Sequence, residues 1–393
     1  VEVRRQQWGL DNRLGTVLLR HHGYTPEMVK SRDKIQRNLR LLELALVELP
    51  DEPNLIMNFG LELVRSGERD RGVAKYYEAF RSLSAKPLSE VVPELRETLL
   101  TQLATQLLAV RNYESVVTVL NSPLARRDEL TASMHYLLGL ANMELKQLSE
   151  AVTHLRQCLA TRHRPALSSL HKDILTSAPN HCLALCLVHL KQIEAAKAAF
   201  QAALQETPTS RPIRFDYAVC HLQGGQTVEG LQLLHQLVSE QADDVPAWQM
   251  GGQAALSQPE FLEVARDWTG EALKHVPDHP ALLVQRATAL LLSQQPADAL
   301  PFWEQVQAAG ATTAAGLRLC QILLGQPIRP VALDQEAAVS HEFVKWYRGL
   351  LRFNAAGLVQ QLNARVAVLA SVLPSAARTL ETAWCEANQM AAA

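Results

Sequence analysis

The sequence contains few aromatic residues and no long apolar run. Aromatic side chains make up 5% of the 393 residues, and 18 Gly and 19 Pro are too few for a sandwich of short strands joined by tight turns. No apolar run approaches the roughly 18 residues of a membrane-spanning helix. Because 48% of the residues are hydrophobic, the composition excludes a disordered chain and favours a mainly helical folded protein.

The chain also lacks an excess of either charge. It carries 38 Lys and Arg against 40 Asp and Glu, a net charge of −2, so we expect neither a general nucleic-acid binder nor an anionic-membrane binder. No basic and apolar leader is present, and the start at Val1 rather than Met indicates a natural N-terminus further upstream. The cysteines lie in helical segments, which favours a reducing compartment and a cytoplasmic location: Cys158, Cys182, Cys186, Cys220, Cys320 and Cys385.

A pattern of small and bulky residues recurs along the chain with a period of about 34 residues. Each unit has small residues near its positions 8 and 20, and a bulky residue near position 24; Ala184, Ala196 and Phe200 are one example. Insertions within Lys86–Pro93 and His163–Asp173 interrupt the period. The pattern predicts units that start at Pro53, Glu97, Ala132, Ser177, Arg211, Val245 and Pro280.

This pattern resembles the tetratricopeptide repeat, in which two antiparallel helices meet at small residues and neighbouring hairpins stack. The resemblance implies an all-α, right-handed superhelical solenoid of about seven units over residues 53–313. A leading helix is predicted over residues 31–52. Residues 314–393 are predicted to hold a degenerate repeat and capping helices, at Glu336–Phe353, Ala355–Ala370 and Ser375–Asn388.

The first 30 residues have a different character. Val1–Arg5 and Thr16–Leu19 are short β-prone stretches that flank turn-forming residues. Two isolated strands are marginally stable alone. The sequence therefore predicts that residues 1–30 are a β-prone remnant of an upstream domain.

The segment that follows carries a more specific signal. His21-His22-Gly23-Tyr24, then Lys34-Ile-Gln-Arg-Asn-Leu-Arg-Leu-Leu-Glu43 and Pro50-Asp-Glu-Pro53, resembles the junction between the catalytic domain and the helical repeats of bacterial family-2 glycosyltransferases. The resemblance implies a parent that uses a sugar nucleotide and a divalent metal held by Asp-x-Asp. No Asp-x-Asp occurs in this chain, so we expect it to be catalytically inert and to need no cofactor. His21 is either a remnant ligand of the missing metal or diphosphate, or a structural residue.

Metal-binding spacing inside the repeats is weak. Cys182, Cys186 and His189 share one helix face, but a structural zinc site needs a fourth ligand and usually Cys pairs borne on loops. Packed helix positions are the favoured interpretation.

The concave surface of such a solenoid is lined by the first helix of each hairpin. It could hold an extended peptide or a partner's helix, or stay solvated. Two functions remain open: a non-catalytic region that positions an acceptor or partner for a glycosyltransferase domain, or a free-standing scaffold that binds a peptide or protein. The predicted lining residues are Met57, Asn58, Tyr136, Leu140, His181, Leu185, His189, Phe215, Asp216, Val219, Gln249 and Gln253.

Overall fold

The structure is a computed structural model that describes residues 34–126, 129–164, 172–306, 310–328 and 331–382. Over these ranges the chain is helical and contains no strand, so the predicted all-α array of hairpins is confirmed. None of the described helices is both long and apolar enough to cross a membrane. The β-prone stretches, His21 and the His21–Tyr24 motif lie outside the described residues.

The chain divides into two compact units, with the boundary between Leu175 and Thr176. The first unit opens with one helix that packs on a hairpin, and two further hairpins follow. Its helices are α1 (Lys34–Glu48), α2 (Pro53–Ser66), α3 (Arg69–Ser84), α4 (Pro93–Ala109), α5 (Tyr113–Leu120), α6 (Ala132–Glu144) and α7 (Leu148–Thr161).

The second unit contains four regular hairpins and a terminal group of helices. Its hairpins are α8 (Ala178–His189) with α9 (Ile193–Glu206), α10 (Arg211–Gln223) with α11 (Thr227–Glu240), α12 (Val245–Leu256) with α13 (Leu262–His275), and α14 (Pro280–Leu292) with α15 (Pro296–Gln305). The terminal group is α16 (Ala311–Leu324), α17 (Leu333–Arg352), α18 (Ala356–Asn363), α19 (Val366–Val372) and the helix α20 at residues 374–382.

Small residues let the two helices of a hairpin approach closely. In the first hairpin a Cβ atom on Gly72 would lie 2.8 Å from the carbonyl oxygen of Gly60, so neither helix has room for a side chain there. Ala184 and Ala196 hold the equivalent places in the α8–α9 hairpin and are fully buried. Phe200 fills the space beside them without any exposed surface. The predicted small and bulky positions thus form the hairpin cores.

The turn inside each hairpin uses the left-handed backbone region. The residue two places before the second helix has a positive φ in most hairpins: 99° at Gly67, 62° at Lys146, 61° at Lys191 and 78° at Gly225. Glycine adopts this conformation without penalty, whereas a side chain costs about 1 kcal/mol. Lysine at two of these turns therefore stores a small amount of backbone strain.

The C-terminal helices differ from the prediction in one respect. The helix predicted over Ala355–Ala370 is two helices, α18 and α19, that are separated at Ala364 and Arg365. The Arg365 guanidinium donates hydrogen bonds to the carbonyl oxygens of Ile322 and Leu323, the latter at 2.6 Å, at the end of α16. The last carbonyls of a helix lack partners within the helix. Arg365 therefore supplies hydrogen bonds at the end of α16, in addition to the Gly325 N–H that donates to the Ile322 carbonyl at 3.1 Å.

Helix α20 is fixed by a carboxylate. Glu336 accepts hydrogen bonds from the backbone N–H of Ser375 at 2.9 Å and from its hydroxyl at 2.8 Å. These bonds hold the pKa of Glu336 below its usual value, because they favour the ionised form. The remainder of the helix predicted over Ser375–Asn388 lies beyond residue 382, outside the described residues.

Candidate functional site

The first helices of the second unit form one surface, which we call the inner surface: the solvent-facing sides of α8, α10, α12 and α14. Helix α10 contacts both α8 and α12, and α12 contacts α14. These contacts join the first helices of successive hairpins more closely than the second helices are joined to each other. In a curved stack the elements that approach most closely lie on the inside of the curve.

The residues predicted to line the groove in this unit retain solvent exposure. His189 and Gln253 are exposed, and the others are half-buried: His181, Leu185, Phe215, Asp216, Val219 and Gln249. Each side chain stands on a helix whose opposite side is buried; Ala184, Ala218 and Ala247 are fully buried on those sides. The scaffold therefore holds the exposed side chains in place through rigid helices.

Contacts between successive first helices join the fifth position of one repeat to the sixth position of the next. His181 Nε2 lies 2.7 Å from Asp216 Oδ2, 35 residues further along the chain. Gln285 Nε2 donates to the carbonyl oxygen of Gln249 at 2.8 Å, 36 residues apart. At the equivalent positions between these two pairs, both residues are apolar: Phe215 and Met250 each pack against the core around Trp248. The inner surface therefore alternates a polar pair, an apolar pair and a second polar pair.

Aromatic rings support the polar pair from behind. The His181 ring lies 6.0 Å from the buried ring of Phe200, and Phe200 lies 5.8 Å from Tyr217. Tyr217 in turn packs edge-on against His221 at 4.6 Å. Such ring contacts restrict the side-chain rotamers. His181 is thus held at a defined place on the inner surface.

The side chains on the inner surface offer hydrogen-bonding and apolar groups for recognition. Among the residues that the structure describes, no group of three His, Cys, Asp or Glu side chains could hold a metal ion. Cys182, Cys186 and His189 do not converge, since Cys186 is fully buried and His189 is exposed. Burial and the nearby Cys182 raise the pKa of the Cys186 thiol to about 11, so this thiol stays protonated at neutral pH.

In the first unit the predicted groove residues are more buried. Met57 and Tyr136 are only 7% and 8% exposed, and Met57 packs into the core of its unit. Asn58 is half-buried and donates to the carbonyl oxygen of Asn54 at 2.9 Å. Leu140 is also half-buried. This side of α2 and α6 therefore presents less side-chain surface than the inner surface of the second unit.

Sequence reasoning missed two polar features. One is Gln285, which could have been found from the repeat pattern because it occupies the sixth position of the unit that starts at Pro280. The other feature is a histidine pair inside the α6–α7 hairpin, where His135 Nδ1 lies 3.1 Å from His154 Nδ1. Burial, with a smaller contribution from His154, lowers the pKa of His135 to about 4. No motif in the sequence indicates this contact.

Comparisons with known proteins agree with this architecture. Residues 132–162 and 187–256 each match a family model described as tetratricopeptide repeat. No curated protein matches the chain. Similar solved structures include a tetratricopeptide repeat protein from Parabacteroides merdae, with 15% identity, coverage of 68% of this chain and 97% of that one, and a TM-score of 0.43.

Two further solved structures show the same kind of similarity. The C-terminal part of a repeat protein from Cytophaga hutchinsonii has 14% identity, covers 67% of this chain and 99% of that one, and has a TM-score of 0.46. YrrB is described as a tetratricopeptide repeat protein with an unusual peptide-binding site. It has 18% identity, covers 62% of this chain and 95% of its own, and has a TM-score of 0.34.

Proposed function

We propose that this chain, an all-α array carrying tetratricopeptide repeats, is a scaffold that binds a peptide segment of a partner protein on the inner surface of its second unit. The observation that carries the proposal is the row of position-five and position-six residues on α8, α10, α12 and α14. This row alternates polar and apolar pairs while the opposite helix sides are buried. Half-buried apolar side chains between fixed hydrogen-bonding groups are typical of peptide-recognition surfaces.

The spacing of the helices indicates the form of the bound segment. Packed helices lie about 8–10 Å apart, and an extended chain covers that distance in about three residues. A bound extended segment would therefore place every third side chain over a first helix. Its apolar anchor would lie over Phe215 and Val219, and a hydrogen-bonding side chain would lie over the His181–Asp216 pair.

A peptide-display experiment tests this proposal. Twelve-residue peptides selected on the full chain should lose at least tenfold in affinity for Val219→Arg or Leu185→Arg, because each change places a charge in the apolar part of the inner surface. The matched control is Val228→Arg on the second helix α11, where Val228 is already 51% exposed. If the control weakened binding as much as Val219→Arg, the inner surface would not be the binding site.

The junction motif around His21–Tyr24 and Lys34–Glu43 favours a second candidate function, in which the scaffold positions an acceptor for a family-2 glycosyltransferase domain. Remote binding of this kind accelerates a reaction by holding the acceptor near the donor. Such a parent requires an Asp-x-Asp domain upstream of Val1. The natural gene product should then hydrolyse a sugar nucleotide in the presence of a divalent metal. A product that lacks that domain would leave the scaffold function alone.

A further inference from the structure

A solvent-open cavity of about 790 Å³ lies between the second helices α13 and α15, beside α14. Its volume is within the range of about 300–1,000 Å³ that is typical of small-molecule sites. The cavity contains none of the residues assigned to the inner surface, so it is separate from the proposed peptide site. The side chains that determine its chemistry are Arg266, Lys274, Arg286, Asp298, Pro301 and Phe302.

Arg286 carries a partly desolvated charge. The residue is half-buried, and its Nη1 donates to the backbone carbonyl oxygen of Arg266 at 2.5 Å. Burial and the nearby positive charge of Arg266 lower the pKa of Arg286, because both disfavour the charged form. In the described part of the chain no carboxylate forms an ion pair with Arg286. Since a guanidinium has five N–H donors, most of them remain available to a ligand.

Gly270 on α13 provides room for this guanidinium. A Cβ atom at residue 270 would lie 3.1 Å from Arg286 Nη1 and 3.4 Å from Arg286 Cζ. The first distance is shorter than an ordinary van der Waals contact, so a side chain at this position would press on the guanidinium. The glycine therefore lets Arg286 lie against α13 inside the cavity.

The other two cations of the cavity contact carboxylates. Arg266 Nε lies 3.5 Å from Asp267 Oδ1, and Lys274 Nζ lies 2.7 Å from Glu271 Oε2. Arg286 has no such partner among the described residues. Because a partly buried charge without a counterion is unfavourable, a bound anion would be stabilised most strongly at Arg286.

The opposite wall of the cavity favours a ligand with one negative charge and an apolar body. Asp298 on α15 is exposed and lines the cavity, so its carboxylate would repel a second negative charge. Pro301 and Phe302, one turn further along α15, add apolar surface. A planar carboxylate matches the parallel N–H groups of a guanidinium. We infer that the cavity binds a small monocarboxylate whose carboxylate is hydrogen-bonded to Arg286 and whose apolar body packs on Pro301 and Phe302.

A binding titration on the full chain tests the inference. The probe is 4-phenylbutanoate, which carries one carboxylate on an apolar body. The matched ligand is 4-phenyl-1-butanol, in which a hydroxyl group replaces the carboxylate. Saturation-transfer NMR should show saturable binding of the carboxylate and about tenfold weaker binding of the alcohol. Equal affinity for both ligands, or no saturable binding of the carboxylate, would overturn the inference.

An arginine variant tests the position of the bound carboxylate. Arg286→Met removes the guanidinium and should weaken 4-phenylbutanoate binding about tenfold. The matched control, Arg348→Met, changes an exposed arginine of α17 that does not line the cavity, and it should leave the affinity unchanged. An equal loss in the two variants, or no loss in Arg286→Met, would contradict the role of Arg286.

A pair of glycine variants tests the same cavity without removing a charge. Gly270→Leu fills the space beside Arg286, whereas a Cβ atom at Gly349 meets no atom within 4 Å. Leucine is a good helix former, so both variants should fold, and circular dichroism verifies this. Gly270→Leu should weaken 4-phenylbutanoate binding about tenfold, and Gly349→Leu should leave it unchanged. Unchanged binding in Gly270→Leu would show that the carboxylate does not occupy this cavity.

Discussion

Gly72→Ala tests the close approach of α2 and α3 that defines the first hairpin. The new Cβ atom would lie 2.8 Å from the carbonyl oxygen of Gly60, 3.1 Å from the backbone nitrogen of Val64 and 2.6 Å from the Val64 side chain. The first two are backbone atoms of the facing helix. They cannot move aside as a flexible side chain can, so the two helices must separate.

The expected change combines two opposing effects. Alanine in place of glycine inside a helix stabilises by about 0.5–1 kcal/mol. Overpacking of a close contact destabilises by about 1–3 kcal/mol. The net expectation for Gly72→Ala is a loss of about 1–2 kcal/mol in the free energy of unfolding.

Gly349→Ala is the matched control, since a Cβ atom there meets no atom within 4 Å and Gly349 also lies inside a helix. This variant should be more stable by about 0.5–1 kcal/mol. Urea unfolding followed by circular dichroism, together with hydrogen exchange in α3, measures both. Equal stabilisation by the two variants would refute the close approach at Gly72.

Three further outcomes follow from the structure. Burial lowers the pKa of His135 from 6.5 to about 4. The contribution of neutral His135 to the free energy of unfolding is therefore complete above pH 6.5 and declines by about 2 kcal/mol as the pH falls towards 4, after allowance for partial exposure. Urea unfolding measured at several pH values should show this decline in the unmodified chain and not in His135→Phe. Trp303, fully buried against Gly316 and Trp346, should cost about 3–5 kcal/mol when changed to alanine, measured as a lower melting temperature. Lys191→Gly replaces a lysine whose backbone lies in the left-handed region and should raise the free energy of unfolding by up to about 1 kcal/mol. Gly225→Ala should lower the free energy of unfolding in the same assay, because Gly225 also has a positive φ.

The repeat period predicted most helix positions because it is a local property of the sequence. First helices begin at Pro53, Ala132, Arg211, Val245 and Pro280, the residues at which the pattern places unit starts. The fully buried small residues were predicted for the same reason, since only their spacing brings two helices together.

Two features were missed for different reasons, one because it depends on a contact between distant residues and one because its turn contains no glycine. The break between α18 and α19 occurs at Arg365, which hydrogen-bonds to Leu323, 42 residues away. The left-handed turn at Lys191 carries no glycine to indicate it.

In the candidate site, His181 and Asp216 were both predicted to line the groove. Their contact depends on the register between neighbouring hairpins, which side-chain packing sets. In the first unit, packing also turns Met57 into a core residue.

Peptide binding on the inner surface is tested by hydrogen exchange of the full chain with and without a display-selected peptide at saturating concentration. We expect slower exchange in α8, α10 and α12, centred on residues 181–189, 215–223 and 249–253, and unchanged exchange in α11 and α13. Slower exchange confined to α11 and α13, or no change in the first helices, would contradict the assignment of peptide binding to the inner surface.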